Sequence, residues 1–256
     1  MIAHVLDQSW ADKLTEGWSE TCARLAEAFW PGPLTIVLPR RSDVPPDACG
    51  GRDTVAIRCP DHVVAQELLQ GFGSPISAPS ANKSGYVSPT TAQHVADEFG
   101  DSILILDGGS CVEGIESTVL SLVTTPSILR PGTIPIQVIE EVIGPVTEPT
   151  HELQTDSPGT TTRHYSPRAM AVLVSTDEMN ALNDGTSVAL VLSGTPKTSK
   201  YSFQMPENPK EYGALLYHVL READSSGAVQ IAIEQPPQTI DWHTVQDRLM
   251  RCAAKN

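Results

Sequence analysis

The sequence predicts a two-domain α/β protein, and three observations carry that expectation. A chain of 256 residues is long enough for two domains of ordinary size. Short apolar runs alternate with segments whose apolar residues recur at helical spacing. From Gly144 to Arg168 the composition shifts to Pro145, Pro149, Pro158, Gly159 and Pro167 among many Ser and Thr, which reads as an extended linker. These give a first domain over 1–144, a linker over 145–168 and a smaller α/β domain over 169–256. The 40% hydrophobic content is sufficient for a core. Only 5% aromatic residues and as many as 21 prolines favour a loop-rich α/β chain over a helical bundle.

In chain order, Val5–Leu6 ends a strand. Leu14, Trp18, Cys22, Leu25 and Phe29 predict a helix over Ser9–Phe29, stopped by Pro31, Gly32 and Pro33. Leu34–Leu38 is a strand, Arg40–Arg52 a polar loop, Thr54–Arg58 a β-rich run, and Pro60-Asp61 starts a helix through Leu69. Ile76–Ala78 is expected as a buried strand that empties into a small-residue loop. Thr90 is read as the cap of a helix to Phe99, and Ile103–Leu106 as a strand ending in Asp107-Gly108-Gly109. Ser117–Leu122 and Ser127–Leu129 are strands and Ile136–Ile143 a short helix. Beyond the linker, strands are expected at Ala169–Val174, Ser187–Leu192 and Val229–Ile233, with helices at Tyr212–Ala223 and Trp242–Ala253.

Charge excludes some functions. The net charge is -14, and residues 1–143 hold 8 basic against 18 acidic residues. Such a surface disfavours tight, sequence-blind nucleic-acid binding, which rests on phosphate neutralisation, and leaves room for a weak RNA contact or a local nucleotide pocket. The five cysteines form no C-x-x-C pair, so reduced thiols in a cytoplasmic protein are expected rather than a disulfide or zinc framework. No 18-residue apolar run exists, and the N-terminal residues do not have the pattern of a secretory signal.

The sequence has no G-x-x-x-x-G-K-[ST], G-x-G-x-x-G or G-x-S-x-G motif, so any phosphate site must come from hydroxyls, backbone amides and single arginines. Ser80, Asn82, Ser84 and Ser88 crowd one loop after an apolar strand, where open α/β sheets bind ligands; an ordinary polar turn would look the same. Arg58 ends a strand, where it could hold a carboxylate bidentately or lie on the surface over a buried stem, and Arg130 carries the same ambiguity. Ser117 and Thr118 open a strand as ligand-facing hydroxyls or as a simple turn. His4, His164, Tyr165, Glu116 and the Asp107-Gly108-Gly109 turn are weak signals alone.

Taken in order, the segments Trp30-Pro31-Gly32-Pro33-Leu34-Thr35, Thr54–Pro60, Ala78–Gly85, Ser88-Pro89-Thr90, Asp107-Gly108-Gly109, Glu116–Val119 and Leu129-Arg130-Pro131-Gly132 resemble the YrdC-like domain of threonylcarbamoyl-AMP synthases. His164-Tyr165-Ser166-Pro167 resembles the linker of the family's long form, and Leu216-Tyr217, Leu220-Arg221, Asp224 and Asp247-Arg248-Leu249 its second domain. The resemblance implies a twisted mixed-sheet α/β domain, a linker and a smaller Rossmann-like α/β domain. It implies an L-threonylcarbamoyladenylate synthase, a nucleotidyltransferase that forms threonylcarbamoyl-AMP and pyrophosphate from L-threonine, bicarbonate or CO₂, and ATP. The product would pass to the tRNA-modifying threonylcarbamoyl transferase, with no membrane involved.

By that resemblance His4, Arg58, Ala78 and Ser117 bind L-threonine; Thr54, Ser80, Asn82, Ser88, Arg130 and Tyr165 line the ATP site, Tyr165 as part of a lid. Mg²⁺ accompanies ATP, and no protein ligand for it is assigned. The family's P-T-E-T and K-x-R segments, expected ahead of Met1–Leu6, are not in this sequence, so an N-terminally truncated chain is expected. The alternative is an inactive nucleotide- or RNA-binding remnant. A hydrogenase-maturation carbamoyltransferase, which shares the fold, would carry C-x-x-C pairs that this chain lacks.

Overall fold

The computed structural model describes residues 1–147 and 164–254, and they divide into two compact units. Unit 1 comprises Met1–Pro79 and the described part of Glu116–Thr160. Unit 2 comprises Ser80–Ile115 and the described part of Thr161–Asn256. The loop and helix after Pro79 therefore group with the C-terminal half of the chain. Residues 148–163 of the expected linker lie outside the described residues.

Unit 1 is built on a six-stranded mixed sheet with strands β1 (Ile2–His4), β2 (Leu34–Pro39), β3 (Thr54–Arg58), β4 (Ile76–Ala78), β5 (Thr118–Ser121) and β6 (Ser127–Arg130). Their order is β4-β1-β3-β2-β5-β6, with β1/β3 and β2/β5 parallel and the other neighbours antiparallel. Side chains alternate across a strand. In β2, Leu34, Ile36 and Leu38 therefore face α2 (Glu20–Phe29) and α5 (Ile136–Ile143), packing with Leu25, Leu120, Ile128 and Ile139. Thr35 and Val37 take the opposite face. Burial of each such aliphatic side chain is worth about 1.5–3 kcal/mol.

Where Ser9–Phe29 was expected as one helix, the chain forms α1 (Gln8–Asp12) and α2. Asp7 caps the first, accepting from Ser9 N at 2.8 Å and Trp10 N at 3.2 Å, and Ser19 caps the second. Between them Gly17 sits at φ 82 and Thr15 bridges to Arg40, so the backbone leaves the helix although the apolar spacing continues. The helix expected from Pro60 to Leu69 is α3 (Val63–Phe72). Ile76–Ala78 is a strand, but it is half-buried because it lies at the sheet edge.

Unit 2 carries a four-stranded parallel sheet: β7 (Met170–Val174), β8 (Val188–Val191), β9 (Tyr201–Gln204) and β10 (Gln230–Glu234), in the order β7-β10-β8-β9. Its helices are α4 (Ala92–Phe99), α6 (Thr176–Ala181), α7 (Pro209–Ser225) and α8 (His243–Cys252). Tyr212, Leu216, Tyr217, Leu220 and Ala223 of α7 pack with Leu190, Ile231, Ile233, Val245 and Leu249 as one apolar core. This is the expected α/β architecture with α6 and β9 added; a capping box of Ser175 and Glu178 starts α6.

Two expectations fail in unit 2. Ile103–Leu106 forms no strand, and Leu104 is 90% exposed. An apolar run becomes a strand only where a neighbouring edge accepts it, which spacing alone does not reveal. The cap of α4 is Thr91, not Thr90: Thr91 Oγ1 accepts from His94 N at 3.2 Å, while Thr90 N donates to His94 Nδ1 at 3.2 Å.

Candidate functional site

In unit 1 the candidate residues lie at strand ends. His4 and Arg58 are register partners across the parallel β1/β3 pair, and Ala78 pairs with Ile2 across β1/β4. Thr54 opens β3 opposite Pro39. Among the contacts that orient the Arg58 guanidinium, its Nε donates to Gly32 O at 2.9 Å and Nη2 lies 3.8 Å from the Asp61 carboxylate. Gly32 N in turn donates to Cys59 O at 2.9 Å, so the Trp30–Pro33 turn and the Arg58-Cys59 strand end brace each other. A Cβ on Gly32 would sit 2.4 Å from Phe29 O, which accounts for the glycine in this turn.

His4 is held by its ring Nδ1–H and Ile76 O at 3.4 Å. Burial, followed by the Arg58 charge, pushes its pKa below the usual 6.5, so the imidazole is neutral near pH 7. Neutral imidazole offers one donor and one acceptor.

The second unit 1 cluster surrounds Ser117. Its hydroxyl is 2.8 Å from Thr35 Oγ1 and accepts from Arg130 Nη2 at 3.2 Å. Arg130 Nη2 also donates to Ser117 O at 3.0 Å, and the arginine is only 4% exposed. Gly132 completes the cluster, because a Cβ there would sit 2.2 Å from Thr118 N and 2.4 Å from Ser117 C. The Arg130-Pro131-Gly132 segment is thus built around Ser117. Sequence reading assigned no role to Thr35 or Gly132. Both lie in segments it singled out.

In unit 2, Ser80 is exposed and Ser88 is buried. Asn82 Nδ2 donates to Lys83 O at 2.9 Å and to Tyr86 O at 3.1 Å, closing the loop on itself, while its Oδ1 is buried with no hydrogen-bond partner among the described residues. Tyr165 sits in the core at 1% exposure with φ 60. Its ring centroid is 5.3 Å from Tyr217, stacked, and 4.2 Å from His164, and the Arg248 guanidinium lies 5.2 Å from it. Tyr86, Arg168, Arg221 and Asp224 were not given roles from sequence, yet they brace the loop. Arg221 and Asp224, three residues apart on a helix, were the available signal.

The family profile described as "Telomere recombination" matches residues 1–132, and the profile described as "Threonylcarbamoyl-AMP synthase, C-terminal domain" matches residues 134–254. A threonylcarbamoyl-AMP synthase of Pyrococcus abyssi is 36% identical over 252 residues, covering 91% of this chain and 74% of the relative. The chain belongs to the threonylcarbamoyl-AMP synthase family. Another member, from Bacillus subtilis, is 37% identical over 99% of this chain and 79% of its own length. The fold agrees as well: the crystal structure of P. abyssi Sua5 complexed with L-threonine superposes with a TM-score of 0.85 at 33% identity, covering 98% of this chain and 79% of that one. Among the described residues of this synthase-family chain no helix is long and apolar enough to cross a membrane.

Proposed function

We propose that this protein is an L-threonylcarbamoyladenylate synthase, and that it supplies threonylcarbamoyl-AMP to the tRNA-modifying threonylcarbamoyl transferase. The observation that carries the reading is the superposition over 98% of the chain on a relative solved with L-threonine. The reaction begins when the threonine amine adds to CO₂ drawn from bicarbonate, losing a proton and leaving a carbamate. A carbamate oxygen then attacks the α-phosphorus of ATP; the bond to the bridging oxygen breaks and pyrophosphate leaves. Positioning and charge neutralisation supply most of the catalysis in such a transfer, and no side-chain nucleophile is required.

Arg58, aimed by Gly32 O and Asp61, pairs with the threonine carboxylate. Neutral His4, the Ala78 backbone and the Ser117 hydroxyl, fixed between Thr35 and Arg130, orient the same amino acid. Thr54, Ser80, Asn82, Ser88 and Arg130 serve ATP, with Arg130 also holding Ser117. Tyr165, stacked on Tyr217 and next to Ser166, which donates to Gly85 O of the Ser80–Ser88 loop, serves the nucleotide as part of a lid. Mg²⁺ would accompany ATP and supply charge neutralisation; the described residues include no group of three or more His, Cys, Asp or Glu that could hold a metal by themselves.

Pyrophosphate release from ATP tests the proposal. Release that requires both L-threonine and bicarbonate is the expected result, and release indifferent to threonine would overturn it. Arg58→Ala should weaken threonine use by roughly 2–5 kcal/mol, read as kcat/KM for threonine.

A further inference from the structure

The Ser80–Ser88 loop has no regular secondary structure, yet α7 and the segment after Tyr165 fasten it at successive points. Tyr86 Oη donates to Asp224 Oδ2 at 2.5 Å, and the other Asp224 oxygen accepts Ala169 N at 2.8 Å. One turn earlier on the same helix, Arg221 Nη2 donates to Val87 O at 2.5 Å and Nε to Ser88 O at 3.3 Å. Arg221 is charge-balanced by Glu98 at 2.7 Å, with both side chains at most 8% exposed. Gly85 O accepts Ser166 N at 2.9 Å. The Tyr86 ring lies 4.9 Å from the Arg221 guanidinium carbon and 5.2 Å from that of Arg168. Burial and the Asp224 contact push the Tyr86 hydroxyl up to about 12, so it remains a donor throughout the working range.

We propose that Asp224 and Arg221 of the C-terminal half are positioning residues for ATP, acting through the Ser80–Ser88 loop. The inference rests on the reading of Ser80 and Ser88 as ATP contacts. An unfastened loop loses roughly 1–2 kcal/mol of backbone entropy per residue when it orders, and a ligand that needs it ordered must supply that free energy. The Tyr86–Asp224 and Arg221–carbonyl bonds meet it beforehand, so that the Ser88 hydroxyl is already placed when nucleotide arrives. The conformation of Ser88 is set by a helix more than a hundred residues away in sequence.

The test is calorimetric titration of the full chain with Mg-ATP and, separately, with L-threonine, on wild type and on Tyr86→Phe, Asp224→Asn, their double variant and Ser88→Ala. Tyr86→Phe removes one oxygen from the ring, so it keeps the test open even where Asp224→Asn folds poorly. Each single variant of the pair should weaken Mg-ATP binding about tenfold, or ~1.4 kcal/mol. Threonine affinity should not move, and the double variant should be no weaker than either single, as one shared contact requires. If Ser88→Ala weakens Mg-ATP and Tyr86→Phe does not, the positioning role is overturned while the ATP reading of the loop survives. If the variants weaken both ligands alike, the contact is merely structural and the proposal is overturned. If wild type binds no Mg-ATP, or Ser88→Ala binds it normally, the ATP reading of the loop has failed and the positioning role falls with it.

Discussion

The two units treat buried polar groups in opposite ways. In unit 1 they gather at strand ends as a small cluster of Thr35, Ser117 and Arg130, with Arg58 and His4 side by side at the ends of two parallel strands. Unit 2 has the all-parallel sheet, whose carboxyl ends are where a ligand would be sought first. There the chain fills the place itself. Glu234, 1% exposed at the end of β10, accepts from Leu192 N at 2.7 Å, Ser193 N at 2.9 Å, Gly194 N at 2.9 Å, Ser193 Oγ at 2.8 Å and Thr176 Oγ1 at 2.7 Å. Those amides and hydroxyls would otherwise suit an anion. A Rossmann-like sheet is therefore no argument for a nucleotide at its usual spot, and the unit 2 residues proposed to meet ATP lie instead on a loop braced by α7.

The contrast predicts that variants of the buried carboxylates of unit 2 act on stability, and variants of the unit 1 cluster on substrate requirement. The largest effect is expected from Glu98→Ala, which leaves the Arg221 guanidinium buried without its 2.7 Å partner. The loss should be about 3–5 kcal/mol in urea unfolding, and a loss under about 1 kcal/mol would mean that the pair is not buried as described.

Glu234→Gln comes next, with about 1.5–3 kcal/mol lost at neutral pH. Burial pushes the Glu234 pKa up, but the Gly194 amide, the Thr176 hydroxyl and the Ser193 and Leu192 amides outweigh it and hold it at about 2, against an ordinary glutamate value of 4.5. Its stabilisation is therefore fully present above about pH 4.5 and lost as pH falls towards about 2. Wild type should approach the Gln variant over that window, and a difference that stays constant there would refute the assignment. The smallest effect belongs to Thr35→Val, which removes one bond to Ser117. We expect about 1 kcal/mol, appearing as a raised KM for threonine with the KM for ATP unchanged.

Much of this was legible beforehand. The spacing of apolar residues placed Ile136–Ile143 as a helix, and the ordered motifs led to the family and its fold. What escaped was non-local. Nothing near Leu14 says that Thr15 will bridge to Arg40 and break a helix, and nothing near Leu104 says that no strand will pair with it. Arg130 was singled out by its motif, but its grip on Ser117 was not, because those hydrogen bonds cross from one strand to the start of its neighbour. The bracing of the Ser80–Ser88 loop was invisible for the same reason: its partners lie on α7.

That separation has a consequence for synthesis on the ribosome. Tyr86 emerges 138 residues before Asp224. At about 5–20 residues per second the loop waits roughly 7–30 s for its fastening helix to be made. Unit 2 cannot close until nearly the whole chain exists, so a ribosome that stalls between Ser117 and Asp224 carries a chain with all its proposed threonine residues synthesised and its proposed nucleotide loop unbraced.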